Sequence, residues 1–162
     1  MTLAPSRGSL VIFITFVVAL LLTVIPLPDW AQMFRPQWYT LVLIYWTLAL
    51  PERIGVGTGW LLGIALDVLT GTLLGQHALS LALIAFVTYQ MHQRIRLFPL
   101  WQQSLTVLVL LLIERMISMW VMGVASQPPA SLLYWAAPLV GMFLWPWVYI
   151  ILRDLRRKFQ VS

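Results

Sequence analysis

Gly55-Val-Gly57-Thr-Gly59-Trp-Leu-Leu-Gly63-Ile-Ala-Leu-Asp67-Val-Leu-Thr-Gly71-Thr-Leu-Leu-Gly75 sets a glycine on every fourth position, with Asp67 on the one beat that is not glycine. In water this is a poor helix, because each interior glycine costs about 1 kcal/mol relative to alanine. In a bilayer the spacing becomes useful. Membrane helices associate by close packing, and small residues four apart let two backbones approach. A carboxylate on the same stripe is expensive in lipid and must face a partner or a cavity. Four-residue steps turn about 400° on a helix, so the stripe drifts about 40° per step and cannot face one neighbour throughout. We therefore read Gly59, Gly63 and Asp67 as one packed face. Gly71 and Gly75 ease the chain out of the helix.

The rest of the chain agrees with a membrane setting. Of its 162 residues, 61% are hydrophobic and 9% charged, against about 25% charged in soluble domains. Mean hydropathy is +0.90. The polar gaps leave no room for a separate soluble domain, so residues 1–162 read as a single integral membrane domain. There is no cysteine, which excludes disulfides, thiol catalysis and thiolate metal sites. The first apolar segment follows Arg7 as a signal peptide would, but it lacks a small-x-small cleavage site and runs into Pro26-Leu-Pro28-Asp29. It reads as an uncleaved membrane helix.

Working outward from the glycine stripe gives an all-α bundle of six transmembrane helices, at about 10–25, 36–50, 56–74, 78–92, 104–124 and 132–152. The second, from about Trp38 to Leu50 between Pro36 and Pro51, has only 13 residues, short of the ~20 that cross a bilayer upright. It must start earlier, tilt, or be shielded by its neighbours. Pro138 and Pro146 fall in the last segment and predict a bend there. Phe98-Pro99 and Pro128-Pro129 mark turns.

Charge sets the orientation. With six spans and the N-terminus inside, Arg7, Arg53, Arg94, Arg96, Arg153, Arg156, Arg157 and Lys158 lie on the inner side, Arg35 lies outside and Arg115 within a span. That bias places both termini in the cytoplasm. A five-span chain would put Arg7 or the C-terminal cluster outside. The net charge of +5 is thus a topology signal and not a nucleic-acid footprint. Trp30, Trp38, Trp120 and Trp135 fall toward the outer surface. Trp46, Trp60, Trp101, Trp145 and Trp147 fall toward the inner one, in the manner of aromatic belts.

Few residues offer chemistry. Asp67 reads first as a packing or assembly contact, with an ion, proton or substrate site as the alternative. No second carboxylate shares its helix to build a relay. Glu114 and Arg115 are intramembrane charges about 100° apart on one helix, so each needs another partner. One arrangement pairs Arg115 with Asp67 across helices; the other slides both charges toward an interface. His77 in an outer turn and His92 at an inner helix end lie outside any metal-ligand spacing and read as surface residues. Met116, Met119 and Met122 form a stripe for adaptable packing or a partner groove. Arg153, Arg156, Arg157 and Lys158 make a basic patch that reads as an orientation signal drawn to anionic lipid, with a cytoplasmic protein contact as the alternative. No catalytic pair, phosphate loop or metal set is visible, and no cofactor is expected.

Phe34-Arg35-Pro36-Gln37-Trp38, Tyr45-Trp46-Thr-Leu-Ala-Leu-Pro51, Val56-Gly57-Thr58-Gly59 leading to Asp67 and Gly71, Leu100-Trp101-Gln102-Gln103 and Leu144-Trp145-Pro146-Trp147, in that order, resemble the MreD family of rod shape-determining membrane proteins of Gram-negative bacteria. The resemblance covers nearly the whole chain. It implies a non-enzymatic inner-membrane component of the cell-wall elongation machinery. Such a component would stand beside MreC and link the MreB filament, directly or through MreC, to RodA and its class B penicillin-binding protein. It also implies a fold similar to the six-helix substrate-binding subunits of energy-coupling-factor transporters. Membrane lipid is an expected contact, nucleic acid is not, and self-association into a homo-oligomer is left open. The alternative reading is a small-molecule-binding transporter subunit, for which only Asp67, Glu114 and Arg115 supply converging polar groups. A membrane enzyme acting on lipid-linked precursors lacks the metal or acid–base cluster it needs.

Overall fold

A computed structural model describes residues 4–26, 28, 37–51, 54–71, 75–124 and 136–158. Trp30, Arg35, Pro36, Arg53, Pro128, Pro129 and Trp135 lie outside the described residues, as does the Met122 side chain. Six helices follow one another: α1 (Ala4–Val24), α2 (Trp38–Ala49), α3 (Val56–Thr70), α4 (Gln76–Leu97), α5 (Leu100–Val124) and α6 (Ala136–Lys158). No strand occurs among the described residues. Two stretches are long and apolar enough to cross a membrane, Leu100–Val121 and Ala136–Lys158.

The shortest helix is the centre. Every residue of α2 from Tyr39 to Leu48 is buried, because Trp-Tyr-Thr-Leu-Val-Leu-Ile-Tyr-Trp-Thr-Leu-Ala has no face for water, and an all-apolar helix belongs in a core. It packs against α1, α4, α5 and α6. Its 12 residues rise about 18 Å. Protein surrounds them, so α2 has no need of a lipid-facing length; shielding by neighbours is the alternative the structure takes. Trp46, fully buried, donates its indole N–H to Thr15 Oγ1 of α1 at 2.9 Å. Trp145, equally buried, donates to Gln103 Oε1 at 3.3 Å. These two tryptophans are therefore core residues and not members of an interfacial belt. The belt reading fails for them because a buried and an interfacial tryptophan look alike in sequence. Trp60, Trp101, Trp120 and Trp147 are exposed.

The glycine stripe is occupied from within the chain. At Gly59 a β-carbon would sit 2.7 Å from the Leu81 carbonyl oxygen and 3.1 Å from the Ala85 β-carbon. At Gly63 it would overlap the backbone of Ala78. Both neighbours belong to α4, and α3–α4 is the most extensive helix contact in the molecule. At Gly59 and Gly63 the stripe is therefore packed on α4, while a β-carbon at Gly55, Gly57, Gly71 or Gly75 meets nothing within 4 Å. Gly71, at φ +70°, stops α3, and Gly75, at φ +101°, admits α4. Left-handed backbone favours glycine at both ends of the turn.

Several helices run past their apolar segments. α4 continues from His92 to Leu97 with Ile95 buried, and α6 continues to Lys158. Basic residues fill the last turn of each, where they complement the helix dipole. Pro99 follows the end of α4, and its carbonyl accepts the Gln102 and Gln103 amides that open α5. Pro138 falls in the first turn of α6, where its missing N–H costs nothing. Pro146 lies inside the helix.

The perimeter is apolar. Phe13, Leu61, Val68 and Phe143 are each more than 60% exposed, and Met116 and Met119 also face outward. The two methionines therefore pack no core. A continuous apolar perimeter suits lipid or a partner surface rather than water.

Close approach at Gly63 and open space at Gly57 make opposite predictions. A β-carbon at Gly57 meets nothing within 4 Å, so Gly57→Ala should gain about 0.5–1 kcal/mol. Gly63→Leu should lose about 3 kcal/mol, since its clash is with backbone. Melting of the purified protein in detergent reads both signs.

Candidate functional site

Asp67 sits in the last turn of α3 and serves the first turn of α4. An α-helix begins with backbone N–H groups that lack partners. Those of α4 find the Asp67 carboxylate. Oδ2 accepts the Gly75 amide at 2.9 Å and the Ala78 amide at 3.4 Å, and Oδ1 accepts the His77 amide at 3.0 Å. The His77 ring closes the set, with Nδ1 2.7 Å from Oδ1. The Asp67 side chain is wholly buried, and that of His77 is 14% exposed. Asp67 thus acts as the capping carboxylate of a helix that starts beyond a glycine turn, with the positive end of the α4 dipole facing its charge.

This corrects one expectation. The Asp67 carboxylate meets the His77 imidazole at 2.7 Å, so His77 is a built part of the interior rather than a surface residue. The turn brings the imidazole to the carboxylate before any helix from elsewhere is needed. A legible signal existed, namely an aspartate and a histidine ten residues apart across a turn bounded by two glycines.

The network extends through Tyr39. Its ring meets the His77 imidazole edge-on, with centroids 5.8 Å apart and planes at 88°. Its hydroxyl donates to Glu114 Oε1 at 3.4 Å, and Thr40 Oγ1 donates to Glu114 Oε2 at 3.2 Å. Glu114 is 1% exposed. Its two oxygens are answered by α2, the central helix, and it also feels the charges of Arg115 and His77. Side chains from α2, α3, α4 and α5 therefore meet at one end of the bundle. Three of the four contacts to Asp67 lie at 2.7–3.0 Å; both bonds to Glu114 exceed the usual 2.7–2.8 Å of O–H···O contacts. Asp67 is the firmer anchor.

As chemistry, the arrangement is a tie. The Ser80 hydroxyl, one turn beyond His77, donates to the His77 carbonyl at 3.1 Å and is not aimed at the imidazole. No group of three or more His, Cys, Asp or Glu side chains suited to a metal occurs among the described residues. Of the three cavities described, none is lined by a member of the network. Gly59, Gly63 and Gly71 lie on the same helix and turn as Asp67. Arg153, Arg156, Arg157 and Lys158 lie at the far end of α6.

A helical bundle with an apolar perimeter and an interior network joining Asp67, His77, Tyr39, Thr40 and Glu114 belongs to the class of membrane proteins, and among the described residues two helices are long and apolar enough to cross a bilayer. The family model described as rod shape-determining protein MreD matches residues 6–155, and the chain belongs to that family. It is 35% identical over 150 residues to the rod shape-determining protein MreD of Haemophilus influenzae, covering 90% of each chain. No solved structure matches. The five phrases that carried the resemblance all lie within the matched span. The family determines cell shape and is not a known enzyme family.

The Asp67–His77 tie predicts a coupling. Hydrogen bonds to charged groups contribute about 1.5–3 kcal/mol each, so Asp67→Ala should cost at least that. Combined with His77→Ala, it should show a non-additivity of about 1–2 kcal/mol. Thermal unfolding of the four proteins of that cycle, beside the matching Asp67/Arg115 cycle, decides between partners. A larger coupling to Arg115 would restore the pairing drawn from the sequence.

Proposed function

We propose that this protein is a non-enzymatic, six-span scaffold of the cell-wall elongation machinery in the bacterial inner membrane, with both termini cytoplasmic. The observation that carries the reading is the mutual satisfaction of Asp67, His77, Tyr39, Thr40 and Glu114 behind an apolar perimeter. Polar chemistry turned inward leaves contact as the means of action. A scaffold needs a rigid body with lipid-facing and partner-facing sides, and a central helix buried by four others gives rigidity.

Six helices and the clustering of basic residues at the ends of α4 and α6 support the even span number and the cytoplasmic termini. The partners in this proposal are MreC, the MreB filament, directly or through MreC, and the RodA–class B penicillin-binding protein pair. They meet exposed faces of the bundle, since Gly59 and Gly63 are packed on α4. The likeness in fold to energy-coupling-factor subunits stays with the proposal, supported by the six-helix order. The transporter reading is disfavoured because the converging polar groups bind each other.

The test is recovery of the tagged protein from its own cells in mild detergent. We expect a single-span protein with a periplasmic coiled coil, with or without the polymerase pair. ATPase subunits with a transmembrane coupling protein would replace the scaffold by a transporter subunit.

A further inference from the structure

At the end of the bundle away from Asp67, the helix ends enclose a cavity of about 530 Å³. Four arginines line it: Arg96 of α4 and Arg153, Arg156 and Arg157 of α6. In the sequence Arg96 stands far from the C-terminal patch, and the packing of α4 and of α6 on their common neighbours α2 and α5 brings them to one recess. Tyr45 and Tyr149 add phenol groups to the wall, and no acidic side chain is among the described residues that line it.

The arginines have different work. Arg96 donates Nε to the Leu48 carbonyl at 2.7 Å and a second nitrogen to Ala49 at 3.4 Å, closing the end of α2. Arg156 lies beside the Tyr45 phenol and acts on it electrostatically. Arg153 lies over the Tyr149 ring, its guanidinium carbon 5.9 Å from the centroid. The Nε of Arg153 is buried and makes no hydrogen bond. Asp154 stands 3.9 Å from it, beyond hydrogen-bond reach, with its own side chain 65% exposed. An arginine cannot discharge, and a buried donor without an acceptor is costly.

The floor is rigid. The Gln103 amide is engaged at both ends, accepting from Trp145 and donating to the Ile95 carbonyl at 3.1 Å. Clustered cations in a walled recess focus a field that draws anions. Guanidinium forks match the oxygens of phosphate. The volume is within the range of small-ligand sites.

We propose that this cavity binds a phosphate-bearing anion, either the headgroup of an anionic membrane lipid or a soluble phosphate compound. The Arg153 guanidinium supplies the donor that lacks an acceptor, Arg157 completes the clamp, and Arg96 and Tyr45 fix the rear wall. The inference goes beyond the scaffold role and holds whether or not the partners of that role are correct. It converts a basic tail into a site with a shape.

The test titrates the full-length protein in neutral detergent with short-chain phosphatidylglycerol, inorganic pyrophosphate and a hexaglutamate peptide, reading affinity by thermophoresis. The variants are the double Arg153→Gln/Arg157→Gln, and Lys158→Gln as a control for charge just outside the lining. Loss of one or two charge-assisted bonds corresponds to about tenfold or more in affinity. We expect the double variant to weaken phosphatidylglycerol or pyrophosphate binding by at least about tenfold, and Lys158→Gln by less than about twofold. Whichever of the two probes binds names the source. Arg153→Lys keeps the charge but loses the fork; should the double variant unfold, this variant must still show weakened binding. Equal loss in Lys158→Gln, no binding of either phosphate, or hexaglutamate bound as tightly as the phosphates would overturn the site.

Discussion

The Asp67 carboxylate holds the return of the chain from α3 into α4, and much of the bundle depends on that return. Its oxygens take the amides of Gly75, His77 and Ala78, which otherwise begin a buried helix without partners. Two glycines in left-handed backbone make the turn short enough for this. Two more, Gly59 and Gly63, let the α3 and α4 backbones approach. Removing the carboxylate would leave several buried donors unsatisfied at once, the costly side of hydrogen-bond energetics. With α4 fixed against α3, its other face packs on α2, and α2 organises the rest. Gly141 of α6 continues the theme at the opposite side, where a β-carbon would meet Leu111 of α5.

The consequence for function is a division between inside and outside. Inside, polar groups from four helices satisfy each other. Outside, phenylalanine, leucine, valine and tryptophan face whatever surrounds the bundle. In the scaffold proposed above, such a body would be what partners meet. The cationic recess lined by Arg96, Arg153, Arg156 and Arg157 lies at the end of the bundle away from the Asp67 network.

Much of the fold was legible because glycine spacing, apolar length and proline positions each reflect a local physical demand. Gly71 and Gly75 read as exits from the helix, and both carry the positive φ that such exits require. The short second segment read as one that needs shielding, and α2 is shielded on all sides. Other features were hidden for equally physical reasons. Helix does not stop where apolarity stops, so α4 and α6 ran on through arginines that suit a helix C-terminus. Trp46 and Trp145 read as interfacial because composition cannot tell a buried indole from one at a headgroup. Asp67 was matched by depth to Arg115, although a histidine just past the turn was nearer. The bonds from Tyr39 and Thr40 to Glu114, and the shared recess of Arg96 and Arg153, involve helices distant in sequence and needed three dimensions.

The claim on which the account turns is that the glycine stripe is closed by α4 of the same chain. With no native cysteine, Gly59→Cys together with Ala85→Cys gives one pair to oxidise in native membranes. The β-carbon positions stand 3.1 Å apart, a few tenths of an ångström inside the usual disulfide range of about 3.5–4.5 Å. The account predicts an intramolecular cross-link and a monomeric band on a non-reducing gel. A cross-linked dimer, or two thiols that stay free under oxidation, would contradict it and return the stripe to a partner helix.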